Sequence, residues 1–573
     1  MTNMIAITIA AALLASPALA AAPDAIYLGG NLITMNDAAP TAQAMAVAGG
    51  RIVAVGSKAQ VLKLRGPGTT MVDLKGHTMV PGFVDGHSHF SQVGFQANSA
   101  NLLPPPDGPA SSIADIQAIM RAYIATSPAV KATGVAIGFD YDDSQLKEQR
   151  SPTRAELDAI STTIPIIITH QSGHLGVYNS RALELAGITA DTPNPSGGVI
   201  RREADGRTPD GVLEETAHFG AIYKVLPKFT AAQGMAMVDS AQKVYLANGF
   251  TTVQEGRADA STLQLLAGAG KAGKLIVDVV AYPDIQMNKD NPALDGPMMS
   301  RTYTDHFRLG GVKLSLDGSP QGKTAWFTKP YFKVPAGRPA DYAGYAALPA
   351  PGAAQALVDK AYRNNWQLLV HANGDAAIDQ LIASVAAAQK TYPGADRRTV
   401  LIHGQYLRAD QIPQLKALGI MPSLYPMHTF YWGDWHRTSV AGPDRAAFIS
   451  PTNAVLKAGM KFSIHSDAPV TFPNSMRVLD SAVNRTTRTG FVLGPDQRIS
   501  PLVALKAMTI WPAYQHFEEA SKGSLEAGKV ADFVILSADP LKIAAKSLIS
   551  IKVLATYKGG KPVYEMAQVA GSR

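Results

Sequence analysis

GGVKLSLDG (residues 310–318), WQLLVHANGD (366–375) and VLIHGQ (400–405) decide the fold. Each is a short apolar run bounded by glycine and polar residues, the pattern of a buried strand. The segments around them, AAQALVDKAYRNN (353–365) and ADQIPQLKALG (409–419), have helical periodicity. Working outward, the same unit recurs in MVPGFVDGH (79–87), TTVQEG (251–256), LIVDVVAY (275–282), IMPSLYP (420–426) and KFSIHSDAP (461–469). Eight apolar runs alternating with helices predict an α/β chain of the (β/α)8 TIM-like barrel class over residues 81–517.

The stretch from His87 to Asp467 exceeds the roughly 250 residues such a barrel needs. The surplus lies at 98–245, where GVAIGF (134–139), IPIIITH (164–170) and the polar SGGVIRREADGRTPDG (196–211) predict an inserted α/β subdomain over the barrel mouth. Both ends of the chain alternate apolar and polar residues, as in AIYLGGNLITM (25–35) and KVLATYKGGKPVYEM (552–566). Residues 23–80 and 518–573 are therefore expected to form one composite β-sandwich domain.

The apolar stretch MIAITIAAALLASPALA (4–20) ends in a small-x-small site and predicts a signal peptide over residues 1–20. That places the protein in the periplasm or outside the cell. No Lys or Arg precedes Arg51, so the charged start of such a signal is missing and a buried N-terminal helix is the alternative. No later apolar run approaches the roughly 18 residues of a membrane span, so no membrane association is expected after signal removal. The charge of +7 comes from 52 basic and 45 acidic residues without a basic run, which excludes a concentrated nucleic-acid surface. Cysteine is absent, so disulfides, thiolate metal sites and a cysteine nucleophile are excluded. GAGKAG (268–273) spells a dinucleotide loop, but it follows a helix and precedes a strand, so it reads as a helix stop.

Polar residues at the C-terminal ends of barrel strands are catalytic candidates. Here they are His87 and His89 on strand 1, Lys313 on strand 4, His371 on strand 5, His403 on strand 6 and Asp467 on strand 8. The alternation of a strand puts His87 and His89 on one side, where they can chelate an ion. Further imidazoles and a carboxylate suit zinc or another divalent first-row metal, as one or two ions. Lys313 sits in an apolar run; a desolvated amine there could carry a carbamate that bridges two metals, the alternative being an ion pair with Asp317. His174 is a candidate substrate contact from the insert, against a plain loop residue. Glu255 is another, against a salt bridge to Arg257, and His465 is placed to orient Asp467. Tyr425 to His436 carries five aromatic rings, Trp432 among them, as an apolar substrate wall or as loop packing.

VPGFVDGHSHF (80–90), HANGD (371–375), LIHGQ (401–405), SIHSDAPV (463–470) and KGSLEAGKVADFVIL (522–536) together resemble the amidohydrolase superfamily. SGHLGVYNSRAL (172–183) and SGGVIRREADGRTPDGVLEE (196–215) make the chain similar to its N-substituted-formamide-deformylase-like branch. The resemblance implies a metal-dependent hydrolase. His87 and His89 would bind the more buried metal, Lys313 would be the bridging carboxylated lysine, His371 and His403 would bind the second metal, and Asp467 would be the acid/base. The implied reaction is hydrolysis of a small amide, N-formyl or N-acyl compound by metal-activated water. Ester or lactone hydrolysis, or deamination, is the alternative on the same site, and a solute-binding protein on a degenerate barrel is the non-enzymatic one. Self-association as a homodimer stays open. One departure, DGSPQGKTAWF (317–327) after Lys313, bears on substrate preference and not on the metal residues.

Overall fold

The computed structural model describes residues 22–226, 229–335, 337–394 and 396–567. The expected signal peptide therefore lies outside the described residues. No helix among the described residues is long and apolar enough to cross a membrane.

Eight parallel strands in the expected chain order carry the centre of the molecule. They are β1 (Phe83–Val84), β2 (Phe250–Ala258), β3 (Asp278–Pro283), β4 (Phe307–Leu309 continued by Gly311–Ser315), β5 (Gln367–Ala372), β6 (Val400–His403), β7 (Met421–Leu424) and β8 (Ser463–Ile464). β1, β2, β3 and the first half of β4 form one parallel ladder; the second half of β4 opens another that runs through β5, β6 and β7 to β8. The ladder changes at Gly310, where a Cβ would stand 2.7 Å from the Tyr282 ring. Past that point Gly310 N–H donates to Ala281 O and Ile285 N–H to Lys313 O, both at 2.9 Å, so β3 and β4 stay joined. At the other end β8 and β1 share no ladder. Instead the chain beyond β8 reaches across: Asp467 N–H donates to His87 O at 3.2 Å, and His89 N–H donates to Ala468 O at 2.7 Å. The strands are nearly continuous apolar runs because helices cover them, as the helices Ala353–Arg363 and Asp375–Thr391 cover β5.

Between β1 and β2 a six-stranded sheet is inserted, in the order Gly198–Arg202, Pro209–Glu215, Leu175–Tyr178, Ile166–His170, Ala136–Tyr141, Ala100–Asn101. It has its own apolar core, built on Ile116, Met120, Ile166, Ile168 and Val177. The expected insert of 98–245 runs past this sheet. Helix Ala231–Ala247 buries Val238, Ala241, Tyr245 and Leu246 with Phe83 and Phe250, so it packs with the central strands and leads into β2.

The two ends of the chain form one eight-stranded sheet in place of two stacked ones. Strand Ala25–Ile33 is irregular between Leu28 and Leu32, which lets it pair with Thr70–Asp73 along one half and with Thr78–Pro81 along the other. The sheet consequently curls. Tyr27 meets Phe533 at 4.9 Å between ring centroids although a strand lies between theirs, and Ile52 N–H at the far edge donates to Lys529 O at 2.9 Å. The expected sandwich is thus a single sheet closing around its core, a shape that strand twist favours.

Candidate metal centre

The strand ends deliver their polar side chains to one place. Lys313 Nζ lies 2.8 Å from His87 Nε2, a pair 226 residues apart in sequence. Asp467 Oδ1 sits 3.5 Å from His87 Nε2 and 3.3 Å from His89 Nε2, while its Oδ2 is 3.9 Å from His403 Nε2. His403 Nε2 is in turn 3.2 Å from His371 Nδ1. Two groups of donors therefore share one carboxylate, with Lys313 beside them.

His87 and His89 do converge, with rings 5.1 Å apart, although not by strand alternation. β1 ends at Val84, and residues 85–89 form a turn ahead of helix Phe90–Gln96. Asp85 holds that turn: its carboxylate accepts from His87 N–H at 3.1 Å, from Gln254 N–H at 3.2 Å and from the Ser88 hydroxyl. Gln254 Oε1 lies 2.5 Å from His87 Nδ1, which leaves Nε2 to face the centre. A Cβ on Gly256 would come within 2.3 Å of the His87 ring, so β2 can pass there only as glycine.

Asp317 does not pair with Lys313. It accepts from the N–H groups of Trp326, Asn373 and Gly374 and stands 3.4 Å from His371 Nε2, so it fixes the ring at the end of β5. His465 does not orient Asp467 either. It bridges Ser423 Oγ (2.9 Å) and His403 Nδ1 (3.1 Å), and the intervening backbone at Asp467 is left-handed, φ 55°. Glu255 leaves Arg257 to Asp284 and accepts from Ser91 N–H at 2.7 Å, in the first turn of helix Phe90–Gln96. Trp432 is fully buried and its indole N–H donates to Asp142 at 2.6 Å; it packs beneath the site and offers no open wall. His174 does reach the centre from the inserted sheet, its ring 5.2 Å from that of His371. Gln254, Asp85, Asn373, Ser423 and Glu215 were not singled out from the sequence. Their only signal there was a polar side chain in or beside an apolar run.

Burial and mutual crowding hold the imidazoles neutral. Burial, then the nearby Lys313, push His87 well below its ordinary value, and burial followed by the facing His371 does so for His403. Burial takes His465 down to about 3 and the Lys313 amine to about 7. Burial alone would raise the Asp467 carboxyl, but the surrounding groups, His89 foremost, hold it below its ordinary value. The result is a pocket of neutral nitrogen donors around one carboxylate, the protonation state a metal requires of its ligands.

A family model for the amidohydrolase family matches residues 70–564. The chain belongs to the amidohydrolase family. It is accordingly a metal-dependent hydrolase of carbon–nitrogen bonds. This amidohydrolase is 28% identical over 550 residues to the N-substituted formamide deformylase of Arthrobacter pascens, covering 95% of this chain and 98% of that one. It is 29% identical over 560 residues to the protein LONG AFTER FAR-RED 3 of Arabidopsis thaliana, covering 94% and 91%. Among solved structures it superposes on a metal-dependent hydrolase of Pyrococcus horikoshii with a TM-score of 0.71 at 23% identity, over 91% of this chain and 99% of that one. That likeness is one of fold, an α/β architecture shared over nearly the whole chain.

The residues present fit the divalent ion that the family implies. Asp467 Oδ1 and His89 Nδ1 are buried without a hydrogen-bond partner, and uncompensated buried polar atoms call for a ligand. A tetrahedral site with metal–nitrogen bonds of about 2.0–2.1 Å has ligand atoms about 3.3–3.4 Å apart. The spacings of 3.3 Å between His89 and Asp467 and of 3.2 Å between His371 and His403 are close to that edge, and His87, His403 and Asp467 bring donor atoms within 4.8 Å of one another. A second set, Asp142, Asp143 and His170, lies in the inserted sheet, where Asp142 already serves Trp432 and Ser144.

Proposed function

We propose that this amidohydrolase hydrolyses a small amide, N-formyl or N-acyl compound at the junction of His87, His89, Lys313, His371, His403 and Asp467. The observation that carries the reading is Asp467: its unpartnered Oδ1 stands between two imidazoles on one side while Oδ2 faces His403 on the other. The deformylase relative supports an N-formyl or related amide as the substrate class. In this reading His87 and His89 with Asp467, and His371 with His403, would hold zinc or a related first-row ion. Such an ion supplies Lewis acidity toward a carbonyl oxygen and lowers the pKa of water. The protein's own groups do the rest. Gln254 and Asp317 hold the rings of His87 and His371 in position, and the buried setting keeps these imidazoles neutral. Asp467 accepts the proton of the attacking water and returns it to the leaving nitrogen as the C–N bond breaks, so that amide and water yield carboxylic acid and amine.

Two finer assignments belong to the same reading. Lys313, buried and adjacent to His87, is taken as the site of a carbamate, formed when Nζ bonds to carbon dioxide and gives up a proton; its burial and its lowered basicity support this. The eight parallel strands are read as a barrel closed between β8 and β1, which the two hydrogen bonds between residues 87–89 and 467–468 support. The apolar leader supports export, which fractionation of expressing cells tests.

The deciding experiment is Asp467→Asn in zinc-loaded protein, assayed on N-formyl and N-acetyl anilines. Removing the proton carrier should lower kcat by about 10²–10⁴-fold with the thermal midpoint nearly unchanged. Wild-type rates in D467N would overturn the mechanism.

A further inference from the structure

We propose that His174, carried into the site by the inserted sheet and fixed there by Glu215, accepts a hydrogen bond from the N–H of the scissile amide and so selects secondary over tertiary amides. The inference rests on the hydrolase reading above and adds a specificity element to it.

The pair is tied at both backbone and side chain. His174 Nδ1 stands 2.6 Å from Glu215 Oε2, and Glu215 N–H donates to His174 O at 2.8 Å. Glu215 ends strand Pro209–Glu215 with φ 49°, a left-handed conformation that a non-glycine residue keeps only under constraint. A carboxylate against Nδ1 fixes a ring proton on that nitrogen, so in the singly protonated ring Nε2 is the acceptor. Among the described residues Nε2 has no hydrogen-bond partner.

The placement points the same way. The His174 side chain keeps 15% of its surface exposed, as His89 does, and Asp467 keeps 10%, whereas His87 keeps 1%. His174 and Asp467 are thus both partly open to solvent, and His174 meets the site through the His371 ring. Its ring is flanked by His371 on one side and by the half-buried Phe219, 5.9 Å away, on the other. Arg257 stacks over the Phe219 ring at 4.5 Å, so a substituent on the amide nitrogen would meet the remaining edge of that ring while its N–H meets Nε2. In the same turn Gln171 is fully buried with neither amide atom bonded, a second polar group without a protein partner. A tertiary amide has no hydrogen to give and leaves the acceptor unpaired, the situation in which sites discriminate strongly.

The test measures kcat/KM of zinc-loaded wild type, His174→Ala and Glu215→Gln on paired N–H and N-methyl members of a panel of N-formyl and N-acetyl anilines and benzylamines. Zinc content and thermal midpoint are recorded for each protein. Wild type should prefer the N–H member by about 10–100-fold, the range of one buried hydrogen bond. H174A should keep its zinc and reduce the preference to below about threefold, with the loss falling on the N–H substrate; E215Q should reduce it in part. Equal rates on both members with wild type, an undiminished preference in H174A, or loss of zinc from H174A would each overturn the inference while leaving the hydrolase reading in place. A wild type inactive on every amide would instead overturn the hydrolase reading, and this inference with it.

Discussion

Asp467 and His403 both adopt left-handed backbone conformations, with φ of 55° and 72°. Neither is glycine, and such conformations cost on the order of 1–3 kcal/mol each, which the surrounding packing must offset. The strain sits at the two residues whose side chains join the two donor groups. Residue identity was legible here: His87, His89, Lys313, His371, His403 and Asp467 stand at or just past apolar runs. Their supports were not, because an amide or carboxylate beside an apolar run looks the same whether it orients a ligand or caps a turn. Gln254 is the clearest case, and it carries a prediction. On the proposed metal assignment, Gln254→Leu removes the group facing His87 Nδ1, so divalent-metal affinity should fall about 10–100-fold, as for residues that orient metal ligands. Chelator competition on folded Q254L protein measures it, and unchanged affinity would show that the contact with His87 is incidental.

At the scale of elements, strand β2 supplies Gln254 and also the gap at Gly256 into which the His87 ring fits. A valine there would meet that ring. Gly256→Val should therefore cost about 1–3 kcal/mol of stability through overpacking and displace His87. A lowered denaturation midpoint together with weakened divalent-metal binding would confirm it, and a midpoint equal to wild type would show that the strand yields instead. The eight parallel strands were legible because each is apolar, short and bounded by glycine. The break of β4 at Gly310 was not, since it depends on Tyr282 of the neighbouring strand. Nor was the fate of Trp432: an aromatic cluster reads alike as a wall or as packing until Asp142, from the insert, takes the indole N–H.

For the whole molecule, charged networks lock the terminal sheet and the strands together. Asp278 of β3 receives Lys522 and, from the curled sheet, Lys558 at 2.6 Å, while Glu518 accepts from Arg308 of β4 at 2.6 Å and faces Lys522 at 3.0 Å. Burial would raise the Glu518 carboxyl, but Lys522 and Arg308 hold it at about 2 against an ordinary value of 4.5. A depressed folded-state value means that Glu518 contributes its full stability above pH 4.5 and loses it as pH falls to about 2. The contribution is on the order of 3 kcal/mol. Denaturant unfolding at stepped pH should show Glu518→Gln less stable than wild type at neutral pH, with the difference shrinking in acid; parallel pH profiles would rule the linkage out. Metal removal acts on the same scale. A divalent ion that binds only the assembled site stabilises it, so chelation should lower the thermal midpoint, by an amount equivalent to about 4 kcal/mol at a thousandfold excess over Kd. An unchanged midpoint would show that the fold does not depend on the ion.

The amino-acid sequence by itself determined the class of fold, the order of the eight strands, the exclusion of cysteine chemistry and the residue types at the strand ends. These follow from periodicity and composition, which are local and additive along the chain. Only the tertiary structure decided which atoms meet: Lys313 with His87, Asp467 between two imidazole groups, Asp317 with His371 and not with Lys313, and Glu215 behind His174. Those contacts join residues from separate strands and from the insert. Register and packing of distant segments set them, and no spacing within one segment records that.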